Sequence, residues 1–247
     1  MQIPAAVRAV VFDLDRTLLD HDRAVQGAAW DWFAGLGAGV EDIPSLLMLW
    51  QEAGLRQLDR FRRGELSYHD HRRERVREIM RAMGMSYNHK VADKMFAGYL
   101  NGYARHWVAY DDAAPVLKAM RASGRWVAVL TNGDIVQQRS KLRHIGLLDL
   151  FDDIFASSQL PAAKPDPRAF RAITSTKHFE PTECLMVGDD LEADVRGALN
   201  AGWHAVHVDR SSAKPANGSA PSASSPVAEP PRGAHRIHSL AELVPTS

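Results

Sequence analysis

Residues 9–12, Ala-Val-Val-Phe, form a short apolar run that stops at two carboxylates, Asp13 and Asp15. A run this short, bounded by polar residues, fits a strand buried in a parallel sheet. In open α/β sheets the ligand crevice lies beyond the carboxyl ends of the strands, which places both acids at a crevice mouth. Carboxylates two residues apart repel each other, so a cation or a shared proton belongs beside them. The stretch taken alone also reads as a strand followed by an acidic turn.

The following 90 or so residues, 20–110, carry helical rather than strand periodicity. Helices are expected over 24–36, 44–61, 67–83 and 89–107, with Ser67 and Asp70 resembling a capping pair at the start of the third. Four helices inserted directly after a first strand are the mark of a separate cap domain. Beyond residue 110 the chain alternates again. Apolar runs at 126–130, 154–156, 185–187 and 204–208 are separated by helical stretches closed by Gly124, Gly146 and Gly202. That alternation implies a parallel sheet with helices on both faces. Residues 211–233 are built of Ser, Ala, Pro, Asn and Gly and cannot bury enough apolar surface to offset their ordering entropy, so a mobile linker is expected there. Ile237, Leu240 and Leu243 then return as a short strand and helix docked on the body.

Charge narrows the function classes. The 30 basic and 30 acidic residues cancel, which gives no reason to expect a nucleic-acid or membrane partner. The single cysteine, Cys184, excludes an intrachain disulfide and fits a reducing compartment; a soluble, cytoplasmic protein is expected. Cys184 sits in an apolar run and reads as a buried strand residue rather than a nucleophile.

Four apolar runs end in, or lead to, polar residues of a particular kind: Asp13 with Asp15, Thr131, Lys164, and Asp189 with Asp190 and Asp194. Parallel strands bring their carboxyl ends to one edge, so these distant residues converge. Clustered carboxylates bind a hard cation such as Mg²⁺ through oxygen. A threonine hydroxyl and nearby backbone N–H groups can hold phosphoryl oxygens, and a lysine offsets their charge. One aspartate is then left as nucleophile and one as acid and base.

The motifs Asp13-Leu14-Asp15-Arg16-Thr17, Leu130-Thr131-Asn132-Gly133, Lys164-Pro165 and Gly188-Asp189-Asp190 with Asp194, in this order, resemble those of the haloacid dehalogenase superfamily. The likeness is to its phosphatases with a helical cap after the first strand. It implies a Rossmann-like three-layer α/β core over 1–19 and 111–247, with an α-helical cap over 20–110. It also implies that Asp13 attacks phosphorus and that Asp15 protonates the leaving oxygen, then activates water. Thr131, Asn132 and Lys164 would bind the phosphate, while Asp13, Asp15 (through its carbonyl) and Asp189 would hold Mg²⁺. Thr17, Asp190 and Asp194 would support the site, Asp194 through water or through Lys164. Arg16 departs from the glycine often found at its position. Relatives that cleave carbon–halogen bonds lack the acid at Asp15, so its presence favours an oxygen leaving group that needs a proton.

The expected activity is Mg²⁺-dependent hydrolysis of a small phosphorylated metabolite by a monomer or homodimer. A phosphotransferase of the phosphosugar-mutase kind would use the same motifs, and a catalytically idle binding module is the remaining alternative. The cap arginines, among them Arg56, Arg60, Arg73 and Arg75, read mainly as a solvated face paired with Glu65, Glu74 and Glu78. Trp30, Trp50 and Trp107 read as cap core, and His69 and His71 as surface residues rather than a metal site.

Overall fold

The computed structural model describes residues 2–212 and 229–244. The chain divides into two compact units, one of Met1–His21 with Val108–Ser247 and the other of Asp22–Trp107.

The first unit is built on a six-stranded sheet in the order β3-β2-β1-β4-β5-β6. The strands are β1 (Ala9–Phe12), β2 (Trp126–Thr131), β3 (Asp153–Ala156), β4 (Cys184–Gly188), β5 (His204–Val208) and β6 (Ala234–Ile237). Every pairing is parallel, and β1 is fully buried between β2 and β4, which explains its unbroken apolar run. From β1 the chain builds outward through β2 to β3, then returns to the other side of β1 as β4. The order therefore reverses between β1 and β4, and a crevice opens at such a switch point beyond the strand ends. Asp13 and Asp189 directly follow those two strands.

One face of the sheet presents Ala9, Val11, Ala128, Leu130, Cys184, Met186 and Ala205 to a core completed by Phe170, Ile173, Val195 and Trp203. The Phe170 ring meets Trp203 edge-on at 5.3 Å. Cys184 is buried, and burial pushes its thiol up to about 12, so it is an inert packing residue at neutral pH.

The second unit holds most of α1 (His21–Gly35) and all of α2 (Ile43–Arg62), α3 (Tyr68–Ala82) and α4 (His89–Arg105). Ser67 Oγ accepts the Asp70 N–H at 3.1 Å and caps α3. The core is aromatic: Trp50 lies 5.0 Å from Trp32 and 4.8 Å from Tyr99, ring centre to ring centre. Arg75 caps the cluster, its guanidinium 3.5 Å above the Trp50 ring and its Nε donating to the Trp50 carbonyl at 2.9 Å. Burial pulls Arg75 down to about 10. Arg56 with Glu78, Arg60 and Arg63 with Glu65, and Arg77 with Glu74 form ion pairs. Trp50 and Trp107 are buried, but Trp30 is 40% exposed. The buried stripe of α1 runs through Ala24, Ala28, Ala29 and Phe33, which leaves Trp30 beyond its edge; the half-buried Trp32 joins the core instead. His69 is exposed, and His71 stacks on Phe61 at 5.1 Å.

Two expectations change in the first unit. The helix expected from Glu192 begins as a π-helix, Leu191–Arg196, before the short α-helix Gly197–Asn200. The Asp190 carbonyl accepts both the Asp194 N–H at 2.9 Å and the Val195 N–H at 3.2 Å. The widened turn accompanies the inward position of Asp194 against Lys164. The closing helix is a single 3-10 turn, Leu240–Leu243, docked by two buried leucines. Of the stretch 211–233, residues 213–228 lie outside the described residues, whereas Ser211 belongs to the 3-10 turn Arg210–Ser212 and bonds Asp209 Oδ1 at 2.6 Å. Among the described residues no helix is long and apolar enough to cross a membrane.

Candidate active site

The centre of the site is a buried lysine between two buried aspartates. Lys164 follows β3 in the chain and precedes α7 (Pro167–Lys177), joined to Pro165 by a cis peptide bond. Its Nζ donates to Asp13 Oδ1 at 2.6 Å, to Asp194 Oδ1 at 2.6 Å and to the Leu130 carbonyl at 2.8 Å. All three ammonium donors are thus committed. Burial works against the lysine charge, but the carboxylates of Asp13 and Asp194 outweigh it and raise Lys164 above its usual range. Asp13 is pushed up to about 7, first by burial and then by Asp194 and Asp15, with Lys164 opposing. Asp189 rises well above the carboxylate range through burial and the neighbouring Asp13 and Asp194.

Asp13, Asp189 and Asp194 each bring a carboxylate oxygen within 4.8 Å of the others. Three acids around one lysine leave excess negative charge, and an all-oxygen donor set of this kind fits a hard divalent cation such as Mg²⁺. Asp194 is the most committed of the three, because Oδ1 meets Lys164 and Oδ2 accepts the Asp190 N–H at 3.1 Å. Asp190 faces elsewhere: its Oδ1 accepts the Glu192 and Ala193 N–H groups at 2.8 Å and caps the π-helix.

Asp15 meets a different environment. Lys141, on α6 (Ile135–His144), places Nζ 2.7 Å from both Asp15 oxygens, and His21 Nδ1 lies 3.6 Å from Oδ1. Burial opposes the Asp15 charge, but His21 and Lys141 outweigh it and hold this carboxyl well below the usual range. Arg16 takes φ 62°, in the left-handed region where glycine is easiest, and its N–H bonds the Leu19 carbonyl at 2.8 Å. Thr17 is fully buried, and its carbonyl accepts from Arg210 Nη2 at 2.7 Å; its hydroxyl has no partner among the described residues.

Thr131 ends β2, buried, and its Oγ1 accepts from Gln138 Nε2 at 3.0 Å. That contact fills an acceptor position and leaves the threonine O–H free to donate. Asn132 clasps the backbone of Lys164: Nδ2 donates to the Lys164 carbonyl and Oδ1 accepts the Lys164 N–H, both at 2.9 Å. Its side chain therefore fixes the lysine. On β5, His207 sets Nε2 3.0 Å from the Asp189 carbonyl, which makes Nε2 the protonated nitrogen.

Asp13, Lys164, Asp189 and Asp194 thus come together, and Asp15 and Thr131 sit at the ends of the adjoining elements. Gln138, Lys141, His21 and His207 carry no motif and are not singled out by the sequence reading. For Gln138 and Lys141 a signal exists. They lie three residues apart with Leu142, on the face of α6 that a sheet-packing helix normally makes apolar.

An open parallel sheet with an acid-and-lysine cluster at its switch point is the arrangement of an α/β hydrolase. The model of the haloacid dehalogenase-like hydrolases matches residues 7–202, and the chain belongs to that family. It is 31% identical over 241 residues to a ribulose-1,5-bisphosphate 5-phosphatase of Halopiger xanaduensis, covering 95% of this chain and 97% of that one. It is 29% identical over 224 residues to the N-acylneuraminate-9-phosphatase of Homo sapiens, covering 90% and 88%. Phosphatase MT3486 of Mycobacterium tuberculosis is 45% identical over 103 residues; that match spans 41% of this chain and 47% of the relative. In fold, the chain resembles the putative hydrolase YfnB of Bacillus subtilis, solved bound to magnesium, with a TM-score of 0.75 at 21% identity over 96% of each chain. The protein is a hydrolase of the phosphatase kind.

Proposed function

We propose that the protein is a Mg²⁺-dependent phosphomonoesterase that works through a phosphorylated Asp13. The observation that carries this reading is the pairing of Asp13 with Lys164: one carboxylate oxygen is fixed at 2.6 Å, in reach of Asp189, at the end of the central strand. In the first step an Asp13 oxygen forms a bond to phosphorus. The bond to the leaving oxygen breaks, and that oxygen takes a proton from Asp15, which must first gain one from solvent because Lys141 and His21 hold it ionised in the unbound site. In the second step the Asp15 carboxylate takes a proton from water as the water oxygen attacks phosphorus, which frees phosphate and Asp13. Thr131 Oγ–H and the Lys164 charge stabilise the phosphoryl oxygens throughout. Asp13, Asp189 and the Asp15 carbonyl would hold Mg²⁺, which would supply positive charge for those oxygens.

The helical unit is assigned the part of a substrate-selecting cap, from its place in the chain directly after the catalytic loop. The relatives' names supply a first panel: N-acylneuraminate 9-phosphate, ribulose 1,5-bisphosphate, phosphoserine and glyceraldehyde 3-phosphate. Phosphate release from this panel, extended with other sugar phosphates, is measured with Mg²⁺ and with excess chelator. Turnover should require Mg²⁺, and Asp13→Asn should lower kcat by more than about a thousand-fold with the fold retained. Full activity in chelator, or a folded Asp13→Asn protein with wild-type turnover, would refute the proposal.

A further inference from the structure

Helix α6 brings an interior cation to Asp15. Lys141 is only 4% exposed, and its Nζ lies 2.7 Å from each Asp15 oxygen. A lysine taken out of water carries a large desolvation cost, and ion pairs of this kind are weak contributors to net stability. What the pair does provide is direction. A single contact to one oxygen leaves a carboxyl free to swing, whereas an ammonium equidistant from both oxygens fixes where its Cβ–Cγ axis points. The same helix sends Gln138, one turn earlier, to Thr131 Oγ1 at 3.0 Å, so a single element braces residues on two different catalytic loops.

We propose that Lys141 is a positioning residue for proton transfer: it aims the Asp15 carboxyl at the leaving oxygen and touches neither the phosphoryl group nor the substrate. The proposal rests on Asp15 acting as the general acid in the reading above. Asp15, a carboxylate in its ion pair with Lys141, takes up a proton from solvent before this step; as the P–O bond breaks, its electron pair goes to the leaving oxygen and that proton follows. Misaiming Asp15 therefore slows the first step for substrates whose leaving group needs that proton and spares the first step of those whose leaving group does not. A displacement of about 1 Å can slow a step by about a hundred-fold.

The test compares the single-turnover rate of alcohol release, which reports the first step alone, for benzyl phosphate, whose leaving alkoxide is strongly basic, with that for p-nitrophenyl phosphate, of similar size but with a stable leaving anion. Both are measured at each variant's own pH optimum, with the fold verified by circular dichroism. Lys141→Met should lower the benzyl phosphate value by about 10- to 100-fold and the p-nitrophenyl value by less than about 3-fold. Lys141→Arg, which keeps the charge and paired donors, should restore most of the loss. Adding Lys141→Met to Asp15→Asn should cost nothing further, because both act on one proton transfer. If Lys141→Met does not fold, Lys141→Gln is read the same way. Equal loss on both substrates in the folded Lys141 variants, with Asp15→Asn still selective, overturns the role of Lys141 alone. Equal loss on both substrates in Asp15→Asn, or no Mg²⁺-dependent hydrolysis of either by the wild type, overturns the reading of Asp15 and this proposal with it.

Discussion

At Gly188 an added β-carbon would lie 2.2 Å from Asp194 Oδ2. Asp194 cannot yield easily, since its other oxygen is held by Lys164 at 2.6 Å in the buried cluster. Gly188→Ala should therefore cost about 1–3 kcal/mol by overpacking and, by displacing the Lys164–Asp194 pair, lower turnover as well. Thermal melts and phosphate release check this; unchanged values for both would show that Asp194 has room to move. The motif residues were legible because strand ends mark them: Asp13 and Asp189 follow the two central strands directly. Lys141 and His207 were not, because a residue that acts by holding another shows its function only through a contact 126 residues away, in the case of Lys141 and Asp15. The odd residue at the left-handed position, Arg16, kept its turn, with the Leu19 carbonyl bonding its N–H.

Among the secondary elements, the start of α5 (Ala113–Ala122) shows how remote pieces of the first unit are tied together. Asp112 Oδ2 accepts from Arg210 Nη1 at 2.7 Å, Ser239 Oγ at 2.7 Å and the Leu240 N–H at 2.8 Å. Arg210 Nη2 also bonds the Thr17 carbonyl at 2.7 Å, so the knot joins the loop after β1 to the segment after β5 and to the closing turn. Burial opposes the Asp112 charge, but the Arg210 and Ser239 bonds outweigh it and lower its pKa. The sign follows: a carboxyl lowered in the folded state contributes stability above the unfolded carboxylate range, and that contribution is lost as pH falls through the folded value. Asp112→Asn should cost about 1.5–3 kcal/mol at neutral pH, and its gap from wild type should close in acid. Urea unfolding at pH 7 and in steps down towards pH 3 measures both quantities. A gap that persists unchanged into acid would mean that the charge is not what stabilises the knot. Helix and strand order were readable from periodicity, yet the π-helix after Asp190 was not. Its wide turn follows from Asp190 capping the start and Asp194 turning in to Lys164, neither of which leaves a periodic trace.

For the whole molecule, the sequence shows a helical insertion because four amphipathic stretches follow a strand with no strand between them, and the structure has a compact helical unit at Asp22–Trp107. The substrate is not legible in the same way. The arginines of that unit are largely engaged with acids or aromatic rings, as Arg73 is with Asp93 at 2.7 Å and Arg75 with Trp50, so charge by itself selects no ligand. The chemistry proposed for the site turns on a phosphoryl group carried on Asp13. Asp15→Asn protein, mixed with p-nitrophenyl phosphate and Mg²⁺, should release p-nitrophenol in a burst and then stall, because the leaving anion needs no proton but the second step lacks its base. Acid quenching and peptide mass analysis should then find one phosphoryl group on the peptide that contains Asp13. Continued turnover with that peptide unmodified would contradict the account.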